Sequence, residues 1–421
     1  MMGSRLIAGR NVLTGEAVEI EVASDRIAAV RPLGPNPARL AAQPHGAAAA
    51  GASAAAGAAR EADDLPLISA AFVDIQVNGF AGHDYSSERF AREEIDAIVR
   101  ALAVSGTAQH TPTIVTASRE RIVRNLHLIA AGAASDPMLD AAIAGIHVEG
   151  PFISPEDGPR GAHPRTFVRP PDFEEYLAWE EAAGGRLSYI TLAPELPGAI
   201  DLIERVVRRG VRVAIGHTAA RPEEIARAVD AGATISTHLG NGSHPLLHRH
   251  RNHLWAQLAS DRLSAGIICD GFHLPAELIK VIARAKPAGR LFLVSDAAPV
   301  GGLPAGSYDW LGGRVEVGSD GRLSLSGSEI LAGAGHLLDR GIALYMEATG
   351  LPLSQVIPLA TTIPASLVGR EARVGRITPG AQANLTLFRL REGRLAIEET
   401  LLAGRTLYRR EAESRMTRGR G

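Results

Sequence analysis

Four residues of this chain, Glu149, His217, His238 and Asp296, are of types that bind a metal ion or move a proton. Each ends a short apolar run: AGIHVE at Glu149, RVAIGH at His217, ATISTH at His238 and LFLVSD at Asp296. Two more runs, FVDIQ and AGIICDGFH, end at Gln76 and His273. Two imidazoles and one carboxylate form a catalytic type of zinc set, with three protein ligands and one position left for water. Water on such an ion drops in pKa from about 15.7 to about 7, which supplies hydroxide at neutral pH. Asp296, in L-V-S-D-A-A, can take that water's proton and return it to a leaving amine. The competing role for Asp296 is a helix N-cap. Catalysis is preferred because the run before it is fully apolar. The pattern predicts a metal-assisted hydrolase with Glu149, His217 and His238 as ligands and Asp296 as acid and base.

Other residues are candidates for holding a substrate. His163 lies in P-R-G-A-H-P and His273 in C-D-G-F-H-L. Asp270, beside it, is read as supporting the turn at Gly271. Asn241 and Gly242 follow His238 in H-L-G-N-G-S-H, and backbone N–H groups in such a turn can bind an oxyanion or a phosphate. The next stretch, HPLLHRHRNH, offers Arg249 or Arg251 for substrate contact, with most of its histidines at the surface. The only lysines are Lys280 and Lys286, and neither follows a fourth strand, so a carbamylated lysine bridging two metals is excluded. The first run carries Gln76-Val77-Asn78 where a two-metal site has His-x-His. His83 lies beyond the turn at Gly79. One divalent metal is expected: zinc first, with iron, cobalt or manganese compatible with the same donors.

These residues need a scaffold that presents them together. Eight apolar runs read as strands near residues 70–77, 109–116, 142–149, 187–194, 211–217, 233–239, 264–270 and 291–297, mostly separated by helical patterns. R-P-E-E-I-A-R-A-V-D-A-G has Pro at a helix start, acids in the first turn and Gly after the last. Reactive side chains at successive strand ends are how a (β/α)8 barrel builds its working face. The predicted fold is an α/β barrel of the TIM type over residues 69–369. A doubly wound sheet is the alternative, but no Gly-rich phosphate loop follows the first strand. Residues 4–33 and 374–408 alternate like short strands and predict one small β domain built from both chain ends, taken as 1–68 with 370–421. The Ala/Gly-rich stretch 38–64 has no apolar stripe to dock and is expected to be a mobile insertion. The tail after Tyr408 is expected to fray.

Composition narrows the setting. The 421 residues are 46% hydrophobic with a net charge of -2, which gives no electrostatic case for nucleic acid or a membrane surface. A single cysteine, Cys269, leaves no internal disulfide. No run approaches the roughly 20 apolar residues of a membrane span, and the N-terminus has no signal-peptide core. A cytoplasmic location is expected.

The motifs V-D-I-Q-V-N-G-F-A-G, H-V-E-G-P-F-I-S-P, G-A-H, T-L-A-P-E, I-G-H-T, T-H-L-G-N, D-G-F-H and V-S-D-A together resemble the N-acetylglucosamine-6-phosphate deacetylases of the amidohydrolase superfamily. The resemblance runs from about Ile7 to Leu407, outside the Ala-rich stretch. It implies a barrel with a small β-sandwich, usually as a homodimer, and metal on Glu149, His217 and His238. Asp296 would be the acid and base, and His163 would contact the substrate amide or sugar. His273 and the Asn241-Gly242 backbone would hold the sugar phosphate. The family usually has H-L-x-N-A-M and then a Gly-Arg turn whose arginine grips the phosphate, often in the partner subunit; this stretch differs, and Arg249 or Arg251 is the candidate for that role. Rival readings are an amidohydrolase for another N-acyl sugar, an N-acyl amino acid or a cyclic amide, and a barrel retained only for binding.

Overall fold

The computed structural model describes residues 4–33 and 65–411. The expectations for the Ala/Gly-rich stretch and for most of the terminal tail fall outside those residues.

The chain opens with three antiparallel strands, β1 (Arg5–Asn11), β2 (Ala17–Ala23) and β3 (Arg26–Pro32), and then β4 (Leu67–Ala70), which pairs parallel to β1. It next enters the barrel at β5 (Phe72–Val77). A two-residue ladder, β6 (Gly79–Phe80) with β7 (His83–Asp84), precedes the second barrel strand, β8 (Thr107–Val115). Six more parallel strands follow: β9 (Ile146–Glu149), β10 (Leu187–Leu192), β11 (Arg212–Ile215), β12 (Ile235–Ser236), β13 (Ser264–Ile267) and β14 (Leu291–Leu293). A three-stranded antiparallel insert, β15 (Gly306–Trp310), β16 (Gly313–Val317) and β17 (Leu323–Leu325), stands between the eighth barrel strand and the helices that follow. The chain ends in β18 (Leu385–Arg391), β19 (Arg394–Leu402) and β20 (Arg405–Arg409).

The expected barrel and the sheet from both chain ends are both present. β1–β4 and β18–β20 form one seven-stranded sheet, ordered β20-β19-β18-β4-β1-β2-β3. Alternation explains it: in β2, Val18, Ile20 and Val22 are buried while their neighbours are not. Ile27 of β3 and Leu401 of β19, far apart in strand order, share one apolar cluster with Ile20, Ile68 and Leu385. The sheet therefore folds over on itself as a sandwich.

The barrel strands are buried on both faces, as helix-covered parallel strands must be, which is why they read as continuous apolar runs. The helix Pro222–Asp230 starts where its sequence says, with Pro at the first turn and the Glu224 carboxylate accepting from Arg221 N at 2.7 Å. Beneath the working face lies a polar layer. The His147 ring stacks on Tyr189 with centroids 3.9 Å apart and is held between the hydroxyls of Thr113 and Thr191.

Seven of the eight contacts between neighbouring barrel strands are ladders; the joint from β14 back to β5 is different. There Asp296 N donates to Gln76 O at 3.1 Å and Asn78 N to Ala297 O at 2.9 Å. Below them the buried Asp74 carboxylate accepts from Ser295 N, at 3.2 and 3.3 Å to its two oxygens, and from its own strand's Gln76 N at 3.3 Å. A side chain thus completes the joint where the last strand has run out of ladder. Asp74→Ala should leave Ser295 N without an acceptor and lower stability by about 2 kcal/mol, while Asp74→Asn, which keeps an acceptor oxygen, should cost less. Urea unfolding of the two variants checks this; equal midpoints for Ala and Asn would remove the carboxylate oxygen from the joint.

Candidate active site

The residues singled out in the sequence converge at one end of the barrel. Glu149 ends β9, His217 and His238 lie just past β11 and β12, and Asp296 lies just past β14. Three of the four have left-handed backbones, with φ of 51° at His217, 27° at His238 and 53° at Asp296. That region is sparsely populated by residues with a Cβ, and such strain collects at functional sites.

Glu149 Oε1, His217 Nε2 and His238 Nε2 form a tight triangle. Its sides are 3.0 Å from His238 to Glu149, 3.0 Å between the two imidazoles and 3.3 Å from His217 to Glu149. All three residues are buried, and they are the one group among the described residues whose donors converge this way. A tetrahedral zinc with bonds of about 2.0–2.1 Å to nitrogen or oxygen needs donors about 3.3 Å apart. The triangle matches that edge, so the residues present fit a divalent metal. His217 Nδ1 donates to the Pro159 carbonyl at 2.9 Å, which leaves the Nε2 lone pair free to face the ion. Burial alone would push the Glu149 carboxyl up, but the two imidazoles hold it well below the usual carboxylate range.

Asp296 stands beside this triangle, linked to it by an amide. Gln76 Nε2 donates to Glu149 Oε1 at 3.0 Å and to Asp296 Oδ1 at 3.1 Å. Asn78 Nδ2 donates to the same Asp296 oxygen at 2.9 Å. An N–H donor therefore fills the gap between two carboxylates, where a second cation would require lone pairs. Burial, and next the Glu149 charge, push the Asp296 carboxyl up, toward the range of a group that exchanges protons near neutrality. His163 is buried in the same cavity, its Nδ1 2.8 Å from the Thr116 hydroxyl. Burial and the neighbouring His217 hold its ring neutral.

The cavity has a volume of about 800 Å³, and its wall includes His163, Asn241, Gly242 and His273 along with the ligands and Asp296. His273 is backed by Asp270, 2.8 Å from its Nδ1, and Asp270 also accepts from Phe272 N and His273 N, the turn-supporting role read from the sequence. Arg249 and Arg251 do not line the cavity of their own chain. Both are exposed, Arg251 pairs with Glu223 at 2.5 Å, and the Arg249 carbonyl accepts from Trp255 Nε1. Their loop turns outward after Leu247, so the charge read from the sequence faces away from the site within this chain. Gln76 and Asn78 act on Asp296 directly, which their place in Q-V-N could have suggested. Trp310 and Leu311, at the tip of the β15–β16 hairpin, also line the cavity and carry no signal in the sequence beyond their apolarity.

Two glycines set the His217 ring. A Cβ at Gly242, whose φ is +56°, would lie 2.9 Å from His217 Nδ1, and one at Gly161 would lie 3.5 Å from Cε1. The ring is thus held between the loop after β9 and the loop after β12, and only the first of these contacts forbids a side chain. Gly242→Ala should displace the ring and weaken zinc binding roughly 10–100-fold, with Gly161→Ala having the smaller effect. Competition against a chelator measures both, and unchanged affinity in Gly242→Ala would refute the account.

Comparison with known proteins agrees with this geometry. The amidohydrolase family model matches residues 67–407. The N-acetylglucosamine-6-phosphate deacetylase of Rattus norvegicus is 32% identical, over 82% of this chain and 84% of that protein. The N-acetylgalactosamine-6-phosphate deacetylase of Escherichia coli O157:H7 is 31% identical, over 76% and 83%. The structure of a mutant N-acetyl-D-glucosamine-6-phosphate deacetylase from Mycobacterium smegmatis, in complex with N-acetyl-D-glucosamine-6-phosphate, superposes with a TM-score of 0.80 at 27% identity, covering 96% of this chain and 99% of that one. With a metal-fitting triangle at the strand ends and a family match across nearly all of the described residues, this chain belongs to the amidohydrolase family.

Proposed function

We propose that this chain is a metal-dependent deacetylase that hydrolyses N-acetylglucosamine 6-phosphate to glucosamine 6-phosphate and acetate. The observation that carries the reading is the Gln76 amide, which joins the carboxylate of a three-ligand triangle to a second carboxylate able to handle a proton. The sugar phosphate is supported by the substrates named for the relatives. The relative acting on the galactosamine epimer makes N-acetylgalactosamine 6-phosphate the second substrate to assay.

Glu149, His217 and His238 would hold a divalent ion, which would supply Lewis acidity to the acetamide carbonyl and acidify water. Zinc is the ion proposed; iron, cobalt and manganese suit the same donors. Asp296 accepts the proton of the attacking water. His163, with the Thr116 hydroxyl donating to Nδ1, presents an Nε2–H to the carbonyl oxygen as negative charge builds there. Asp296 then gives its proton to the sugar nitrogen as the C–N bond breaks. The Gln76 and Asn78 amides hold the carboxylate on target through both transfers. His273, backed by Asp270, and the Asn241-Gly242 backbone hold the phosphate end.

The same reading divides the chain into a β-sandwich of residues 1–68 with 370–421 and a barrel of residues 69–369. It makes the protein a cytoplasmic homodimer. Exposed Leu246 and Trp255, at 90% and 50%, lie near Arg249 and support a second copy seated on that loop. No described helix is long and apolar enough to cross a membrane.

Asp296→Asn should retain metal and lose turnover by roughly 100- to 10,000-fold. A near-normal kcat in that variant would sink the acid–base role. Stripping the metal with a chelator should abolish acetate release, and added zinc should restore it; release unaffected by stripping would refute the metal-dependent reading.

A further inference from the structure

The motif T-L-A-P-E ends in a carboxylate that the reaction does not use. Glu195 lies three residues past β10, at the same end of the barrel as the triangle. It does not line the cavity and is not one of the residues whose donors converge. Burial pushes its carboxyl up, and the Glu224 charge adds repulsion rather than relief. Among the described residues no cation pairs with it; a hydroxyl and a backbone amide are its partners. A carboxylate buried without a cation is costly, so its place here asks for a physical reason.

The two partners belong to one turn. Glu195 Oε2 accepts from the Thr218 hydroxyl, and Oε1 accepts from Ala219 N at 2.7 Å. The Thr218 oxygen accepts in turn from Ala220 N at 2.9 Å. Thr218, Ala219 and Ala220 are the three residues that follow His217. The carboxylate thus grips the chain as it leaves His217, before the helix Pro222–Asp230 begins. The grip matters because the His217 backbone is left-handed, with φ of 51°, a region that a residue with a Cβ seldom holds unaided. The chain before it is confined as well. A Cβ at Gly216 would lie 2.8 Å from both Thr191 Cγ2 and Thr237 Cβ. The ring's own contacts, to the Pro159 carbonyl and against Gly242, aim Nε2 only while the backbone beneath stays in place.

We infer that Glu195 is a positioning residue for the metal centre: through Thr218 and Ala219 it holds His217 in the left-handed conformation that directs Nε2 at Glu149 and His238. The inference rests on the metal-dependent reading above and on no particular substrate. What the turn requires is a hydrogen-bonding partner of fixed shape, not a negative charge. Glutamine meets that need, because its carbonyl oxygen accepts from Ala219 N and its NH2 group donates to the Thr218 oxygen.

The test uses the full chain as wild type, Glu195→Ala, Glu195→Gln and Thr218→Val. Zinc affinity is measured by competition against a chelator, ligand geometry by the visible spectrum of the cobalt-loaded protein, and folding by urea unfolding of the metal-free protein, with acetate release followed in parallel. Glu195→Ala should weaken zinc binding roughly 10- to 100-fold and alter the cobalt spectrum. Thr218→Val, which keeps the Ala219 bond, should weaken it by less, and Glu195→Gln should restore the wild-type affinity and spectrum. Unchanged zinc affinity in Glu195→Ala overturns the inference even where its urea midpoint falls, since Glu195 would then serve the fold alone. If Glu195→Ala does not fold, Thr218→Val decides in the same way. A loss in Glu195→Gln as large as in Glu195→Ala also overturns it, because charge and not shape would be the cause. A wild type that binds no zinc overturns the inference together with the metal-dependent reading. Zinc binding that falls in Glu195→Ala while the wild type releases no acetate upholds the inference and strikes the deacetylase reading alone.

Discussion

Two carboxylates buried side by side repel each other, and this site is organised around keeping Glu149 and Asp296 together. In a low-dielectric interior an unpaired charge is costly, so each needs its own compensation. Glu149 has two imidazoles, and with a divalent ion in place it has that charge as well. Asp296 has the Gln76 and Asn78 amides and lies farther from the imidazoles, of which His238 and His273 offset its burial only in part. That asymmetry pushes their proton affinities apart, one held down and the other pushed up. Two neighbouring carboxylates with separated affinities can take different roles, one as ligand and one as proton carrier. Gln76 makes the arrangement possible because its single NH2 group serves both.

The loops then define what the centre can reach. The loop after β9 contributes the Pro159 carbonyl and Gly161 to His217, Glu156 and Gly158 to His244, and His163 to the cavity wall. The loop after β12 contributes Gly242 from the other side. The same two segments therefore orient one side chain of the metal-fitting triangle and shape the mouth. The β15–β17 insert adds Trp310 and Leu311 as apolar wall. Rigid strands carry the chemistry and loops carry the selectivity, the usual division of labour in a barrel.

Much of this was legible in the sequence because the governing signals are local. A buried parallel strand is a short apolar run, and its polar terminal residue marks the working end, so Glu149, His217, His238 and Asp296 could be read in order. Alternation in A-V-E-I-E-V-A exposed the sandwich in the same way. What could not be read depends on where loops turn. Arg249 and Arg251 had the right charge, but direction is a tertiary property, and their loop faces outward. His244 looked like one histidine in a surface tract. Its partner, Glu156, is 88 positions earlier and meets it only because Gly158 lets two loops touch. Gln76 stood at a strand end like the others, yet nothing in its spacing shows that its amide spans two carboxylates.

The joint between β14 and β5 has a consequence for how the molecule comes apart. The three residues that could hold a metal sit on or just beyond β9, β11 and β12, all within one unbroken stretch of ladder. Gln76, Asn78 and Asp296 sit at the joint where backbone pairing is reduced to two hydrogen bonds and the Asp74 carboxylate adds a side-chain contact. Breathing of the barrel at its weakest contact would part the proton-handling groups from one another while the ion's three donors stayed assembled. In such a partly opened state a metal held at Glu149, His217 and His238 would stay while the proposed proton transfer was lost, so metal content and activity would report on different stages of the same unfolding path.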